Sequence, residues 1–117
     1  FSLFVLLSIP MLFAEELKPK MTDEMELLKT IALENSINGI EAALRGMRER
    51  PDRTSILYDL DKPFLIINGT KDTTIDVELF KTVIPEKENI LVKNLNCGHV
   101  AFMEQKEEFI AVLKSFI

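Results

Sequence analysis

The chain opens on an apolar run. Phe1 to Ala14 (FSLFVLLSIPMLFA) carries almost no polar side chain. A bilayer-spanning helix needs about 20 such residues, and this run is shorter and broken by Pro10. No basic segment precedes it, and no A-x-A pattern closes it, since Leu12 and Ala14 flank Phe13. It therefore lacks the flanks of a secretory signal. The pattern predicts a buried or lid-forming helix over an apolar pocket. Past Pro19 the apolar positions fall at helical spacing. Met25, Leu28, Ile31 and Ala32 form one stripe, preceded by Asp23 and Glu26 in capping-box spacing. Ile37, Ile40, Leu44 and Met47 form a second stripe, which Pro51 closes. Both stripes are expected to be core-facing.

The period then changes. Pro63 introduces Phe64-Leu65-Ile66-Ile67, a continuous apolar run that ends at Asn68-Gly69. Such a run, bounded by Pro and Gly, predicts a strand buried on both faces, as in a parallel sheet. Val77, Phe80 and Ile84 return to helical spacing, with Asp76 as N-cap and Pro85 as the stop. Ile90 to Leu95 reads as a second strand, leading into the loop Asn96-Cys97-Gly98-His99. Glu104 to Ile117 predicts a closing helix with Phe109, Ile110, Leu113, Phe116 and Ile117 on one face. The expectation is an α/β chain: a helical cap or lid region over 1–55, then a strand-helix-strand-helix unit over 56–117. The crossover between the strands is expected to be right-handed. Two parallel strands cannot be covered by two helices alone, so more sheet is expected beside the Phe64 strand, outside this chain.

Composition narrows the function classes. Fourteen basic residues stand against 19 acidic ones, a net charge of −5, which argues against a phosphate-backbone binder and so against a nucleic-acid partner. One cysteine forms no intrachain disulfide. One Cys and one His do not make a zinc site, which takes three or four protein ligands, and no metal or cofactor is expected. There is no glycine-rich phosphate loop or dinucleotide fingerprint. The lack of targeting features and of a membrane span favours a cytoplasmic location.

Two residues are candidates for chemistry. Asp72 follows the first strand in Asn68-Gly69-Thr70-Lys71-Asp72, and His99, the only histidine, follows the second. Taken singly, each is an ordinary loop residue. If the strands are parallel neighbours about 4.8 Å apart, both side chains emerge at the carboxyl edge where open α/β sheets place their sites. A carboxylate there fixes the imidazole tautomer and stabilises the imidazolium. Cys97 shares the short turn with His99, and a nucleophile ordinarily faces its base from a separate element, so a small buried thiol is its expected role. The serines (Ser2, Ser8, Ser36, Ser55, Ser115) all lie outside any G-x-S-x-G context.

In order and spacing these segments resemble the C-terminal part of an α/β-hydrolase-fold protein. Ala43 to Arg53 (ALRGMRERPDR) is similar to the stretch leaving the cap domain in lactonase- and esterase-like members. Pro63 to Asp72 resembles the strand and G-x-x-D turn of the triad acid, and Asn96-Cys97-Gly98-His99 with Glu104-Gln105 resembles the histidine turn. The likeness is strong from about Ile37 onward and loose before it. Asp76 and Lys106 stand where the family often carries proline, departures that concern loop shape. The resemblance implies Asp72 as the acid and His99 as the general base of a Ser-His-Asp hydrolase acting on a small-molecule ester, lactone or related carboxyl derivative. The triad order of the family implies that the serine, the oxyanion loop and the N-terminal half of the core precede Phe1, and the expectation is that this chain alone is inactive. The rival reading is a non-catalytic binding or interaction module of the same fold.

Overall fold

A computed structural model describes residues 2–117. The apolar N-terminus forms α1 (Ser2–Ser8), continued by a 3₁₀ turn over Ile9–Leu12 that begins beside Pro10. Ring closure removes the Pro10 N–H and fixes its φ, which suits the first position of a helical turn. A second 3₁₀ turn over Lys18–Lys20 leads into α2 (Thr22–Leu33). The capping box expected at Asp23 and Glu26 does not form. The helix begins two residues earlier, its N-cap position falls on Met21, and Asp23 lies in the first turn, where a negative charge still suits the helix dipole.

Ser36 caps α3 (Ile37–Glu49) by accepting a hydrogen bond from the Gly39 N–H at 3.0 Å. The expected core-facing stripe of α3 is open instead: Ile37, Leu44 and Met47 are exposed. On α2, Met25, Leu28 and Ala32 are half-buried, whereas Ile31 is exposed. A short helix, α4 (Ser55–Asp59), precedes the sheet. The entry to that sheet is pinned by Asn89, whose amide donates to the carbonyls of Leu60 at 2.9 Å and Lys62 at 2.8 Å, and by Lys87, which donates to the Tyr58 and Leu60 carbonyls.

The α/β character expected from the sequence is present as a two-stranded parallel sheet among helices. β1 (Phe64–Gly69) pairs with β2 (Ile90–Leu95) in a register running from Phe64 opposite Ile90 to Gly69 opposite Leu95. The crossover contains α5 (Val77–Val83), with Asp76 accepting from the Leu79 N–H at 2.9 Å as its N-cap. Among the described residues β1 has no partner on its other edge.

The closing helix is in two pieces, α6 (Ala101–Glu104) and α7 (Lys106–Phe116), separated by Gln105 at φ −131°, ψ 52°. The Gln105 side chain donates to the Asn96 carbonyl at 3.0 Å, so the break is held by the loop after β2. On α7 the inward residues are Phe109, Val112, Leu113 and Phe116, while Ile110 and Ile117 are exposed. Spacing of three, four and seven keeps the first set on one stripe, and Val112 takes the place expected of Ile110. Phe109 and Val112 pack on a small core of Leu95, Cys97 and Ala101, joined by Ile67 and by Leu17 from the N-terminal region.

No helix among the described residues is long and apolar enough to cross a membrane.

A carboxylate-imidazole pair at the carboxyl edge of the sheet

The two strand-end loops are stitched together before their side chains meet. Thr70 N–H donates to the Leu95 carbonyl and Lys71 N–H to the Cys97 carbonyl, each at 2.9 Å. The parallel ladder thus continues past Gly69 into the loops. Gly69 allows this approach: a Cβ there would overlap the Gly98 carbonyl oxygen outright and stand 2.7 Å from that of Cys97. With the loops locked this closely, residues three past β1 and four past β2 face one another.

Those residues are Asp72 and His99. Asp72 Oδ2 lies 2.7 Å from His99 Nδ1. Asp72 Oδ1 accepts from the Thr74 N–H and the Thr74 hydroxyl, both at 2.7 Å, and from the Ile75 N–H at 3.2 Å. The Asp72 side chain is nearly buried at 7% exposure, against 40% for His99. Burial pushes the Asp72 carboxyl up, but hydrogen bonds from the His99 ring and from the Thr74 hydroxyl and N–H outweigh it. The net result lies below the ordinary carboxylate value.

An ionised carboxylate only accepts, so the short contact requires the proton on Nδ1. The neutral ring then carries its lone pair on Nε2. Thr74 Oγ1 lies 2.9 Å from the same Nδ1; with its own proton given to Asp72, it serves as a second acceptor for Nδ1–H. Among the described residues no hydrogen bond reaches Nε2. Beside the pair lies a cleft of about 110 Å³, lined by Ile75, Val77, Phe80 and Ala101 together with Asp72 and His99. A hollow of about 560 Å³ bounded by Lys81, Pro85 and Ile90 contains neither residue, whereas one of about 590 Å³ lined by Met11, Phe13 and Lys71 also reaches Asp72.

Cys97 is fully buried, and burial, followed by the carboxylates of Glu104, Glu108 and Asp72, pushes its thiol up to about 11. At neutral pH it is a thiol with no access to a substrate, the inert role expected for it. The hydroxyls of Ser8 and Ser115 donate to backbone carbonyls within one helical turn, and that of Ser36 caps α3.

The pattern along the chain does not show three parts of this arrangement. Thr74 is one, although an Asp followed two residues later by Thr is a signal for a side-chain-closed turn. The Leu12 carbonyl, which accepts the His99 N–H at 2.7 Å, is another. Glu104 is the third, a buried carboxylate whose Oε2 accepts from Ala14 N–H at 2.8 Å and from Gly98 N–H at 3.0 Å. Among the described residues no cluster of three or more His, Cys, Asp and Glu side chains is placed to hold a metal. Comparison with known protein families finds none that this chain matches, and comparison with curated proteins finds no match either.

Proposed function

We propose that this chain supplies the acid and the general base of a Ser-His-Asp hydrolase of the α/β-hydrolase fold, acting on small-molecule esters, lactones or related carboxyl derivatives. The observation that carries the reading is the 2.7 Å contact between Asp72 Oδ2 and His99 Nδ1 at the shared carboxyl edge of β1 and β2. In this role His99 Nε2 takes the proton from a serine hydroxyl as it attacks the carbonyl, then returns it to the leaving group. Asp72, ionised and held by Thr74, keeps the ring in the Nδ1–H tautomer and stabilises the imidazolium as it forms. The nucleophile belongs to a segment outside this chain, which also fills the open edge of β1.

The test is turnover of small p-nitrophenyl esters by the full gene product that carries these residues. His99→Ala is expected to lower kcat by about 10⁴-fold or more. Turnover within twofold of the parent overturns the assignment. The coding sequence upstream of Phe1 offers a second check: a strand-turn-helix segment with a serine at its turn is expected there, and its absence favours the binding-module reading.

A further inference from the structure

Glu104 is only 5% exposed, yet among the described residues its carboxylate does not meet a cation. Its Oε2 binds two backbone N–H groups from segments far apart in sequence, Ala14 at 2.8 Å and Gly98 at 3.0 Å. Gly98 immediately precedes the imidazole residue, whose own N–H is taken by the Leu12 carbonyl at 2.7 Å. The His99 turn is therefore gripped from two directions, by the Leu12–Ala14 segment and by Glu104 at the C-terminal end of α6. The packing leaves no slack: a Cβ on Gly98 would stand 2.6 Å from the Leu12 oxygen, 2.7 Å from the Ala14 nitrogen and 2.9 Å from Glu104 Oε1. That second oxygen is buried and has no hydrogen-bond partner among the described residues.

A buried carboxylate with one oxygen unpaired is costly to the fold. An apolar side chain of similar size fills the same space without that cost, so packing alone does not account for the group. What the carboxylate adds is one charged acceptor strong enough to hold two amides at once. Those amides set where the His99 backbone sits, and hence whether Nδ1 stays on Asp72.

We propose that Glu104 is a positioning residue for His99: through the Gly98 and Ala14 amides it fixes the turn so that Nδ1–H remains on Asp72 while Nε2 stays presented to the cleft. The consequence for turnover rests on the hydrolase reading above; the geometric claim does not. It is read by ¹⁵N NMR of the His99 ring in the full gene product that carries these residues, where the two ring nitrogens report the tautomer directly, with the β1–β2 backbone amides as the fold control. Glu104→Ala is expected to turn the fixed Nδ1–H form into a mixture of tautomers while the sheet amides keep their shifts. Glu104→Gln, which retains a carbonyl oxygen for both amides, is expected to restore the fixed form. An unchanged tautomer in Glu104→Ala overturns the proposal.

If Glu104→Ala loses the sheet signals, Glu104→Asp decides. It keeps the charge but withdraws the acceptor by one methylene, so a mixed tautomer in an intact sheet supports the role and a fixed one overturns it. Loss of the sheet in both variants makes Glu104 a packing residue and also overturns it. In the full gene product, Glu104→Ala is expected to lower kcat by about 10²-fold with KM within twofold. A tautomer response without any ester turnover would sink the hydrolase reading and leave the positioning role standing. Loss of turnover in His99→Ala with no tautomer response in Glu104→Ala would do the reverse.

Discussion

Asp72 is where charge, burial and hydrogen bonding meet, and its protonation links the site to stability. Burial alone would raise its carboxyl, but the His99 and Thr74 hydrogen bonds hold it below its ordinary 3.8. In the window just below 3.8 the unfolded chain binds more protons than the folded one, so stability rises with pH there. The contribution is present above 3.8 and is lost as pH falls through the folded value. Asp72→Asn removes that linkage, so the gap in urea midpoint between parent and variant should close as pH drops from about 5 to about 3; a gap of constant size contradicts the hydrogen-bonded carboxylate. On the proposed hydrolase reading, the same variant of the full gene product is expected to lower kcat by about 10⁴-fold, because an amide presents its NH₂ or its oxygen to Nδ1 without fixing the tautomer. Cys97 works in the opposite direction. Its thiol is raised from 9.0 to about 11, so the folded chain keeps a proton that the unfolded chain has lost between those values. This stabilisation is complete below pH 9.0 and disappears as pH rises through about 11. Cys97→Ala should flatten the alkaline loss of stability measured by denaturation between those limits, and an unchanged slope would show that other groups cause it.

At the scale of elements, the strands and the helix between them can be read from sequence because local signals agree. Pro63 and Asn68-Gly69 bracket β1, Asp76 caps α5, and Pro85 follows its end. The positions of Asp72 and His99 follow from strand ends, so their meeting is legible once the strands are taken as parallel neighbours. What is not legible depends on contacts distant in sequence. The division of the closing helix is held by Gln105 donating to Asn96, and Glu104 is turned inward by Ala14, ninety residues away. No periodicity encodes either contact. The apolar stripe of α3 misleads for a related reason: spacing specifies which residues share a face, while the surface that covers the face is specified elsewhere. The strand-end loops supply the test at this scale. Gly69 has no steric room for a methyl group against the Gly98 and Cys97 carbonyls. Gly69→Ala is therefore expected to force the loops apart and destabilise the chain by about 1–3 kcal/mol in urea denaturation. The imidazole should leave Asp72 at the same time, seen as loss of the fixed His99 tautomer. A stable variant with that tautomer intact would mean that the two loops tolerate separation.

For the whole molecule, the accessible surface is the deciding quantity. A folded monomer of 13.4 kDa should expose about 6,500 Å² by the usual size scaling, whereas this chain exposes 8435 Å². Its radius of gyration is 16.1 Å, against about 13 Å for a compact domain of the same length. The excess of about 1,900 Å² is more than the roughly 800 Å² that each partner of a standard protein interface buries. It is apolar where it matters: Leu3, Phe4, Leu6, Leu7 and Met11 lie exposed near the N-terminus, Ile37, Leu44 and Met47 along α3, and Phe64 and Leu91 on the strands. Among the described residues the second edge of β1 is unpaired, on a strand with no charged residue of its own, the kind of edge that recruits another strand. Among the described residues the large fully buried side chains are Leu95, Cys97 and Val5, the first two in the small core on which Ile67, Phe109 and Val112 pack. The 117-residue chain on its own is accordingly expected to bind the dye ANS, to self-associate in sedimentation as concentration rises, and to unfold in urea with a slope below about 1 kcal/mol/M, the low end for small cooperative domains. Joined to the segment proposed to extend the sheet, it should lose the dye signal and gain a steep transition. A dye-silent monomer of the isolated chain, melting in one sharp step, would mean that these apolar faces need no cover and that β1 is content as an edge.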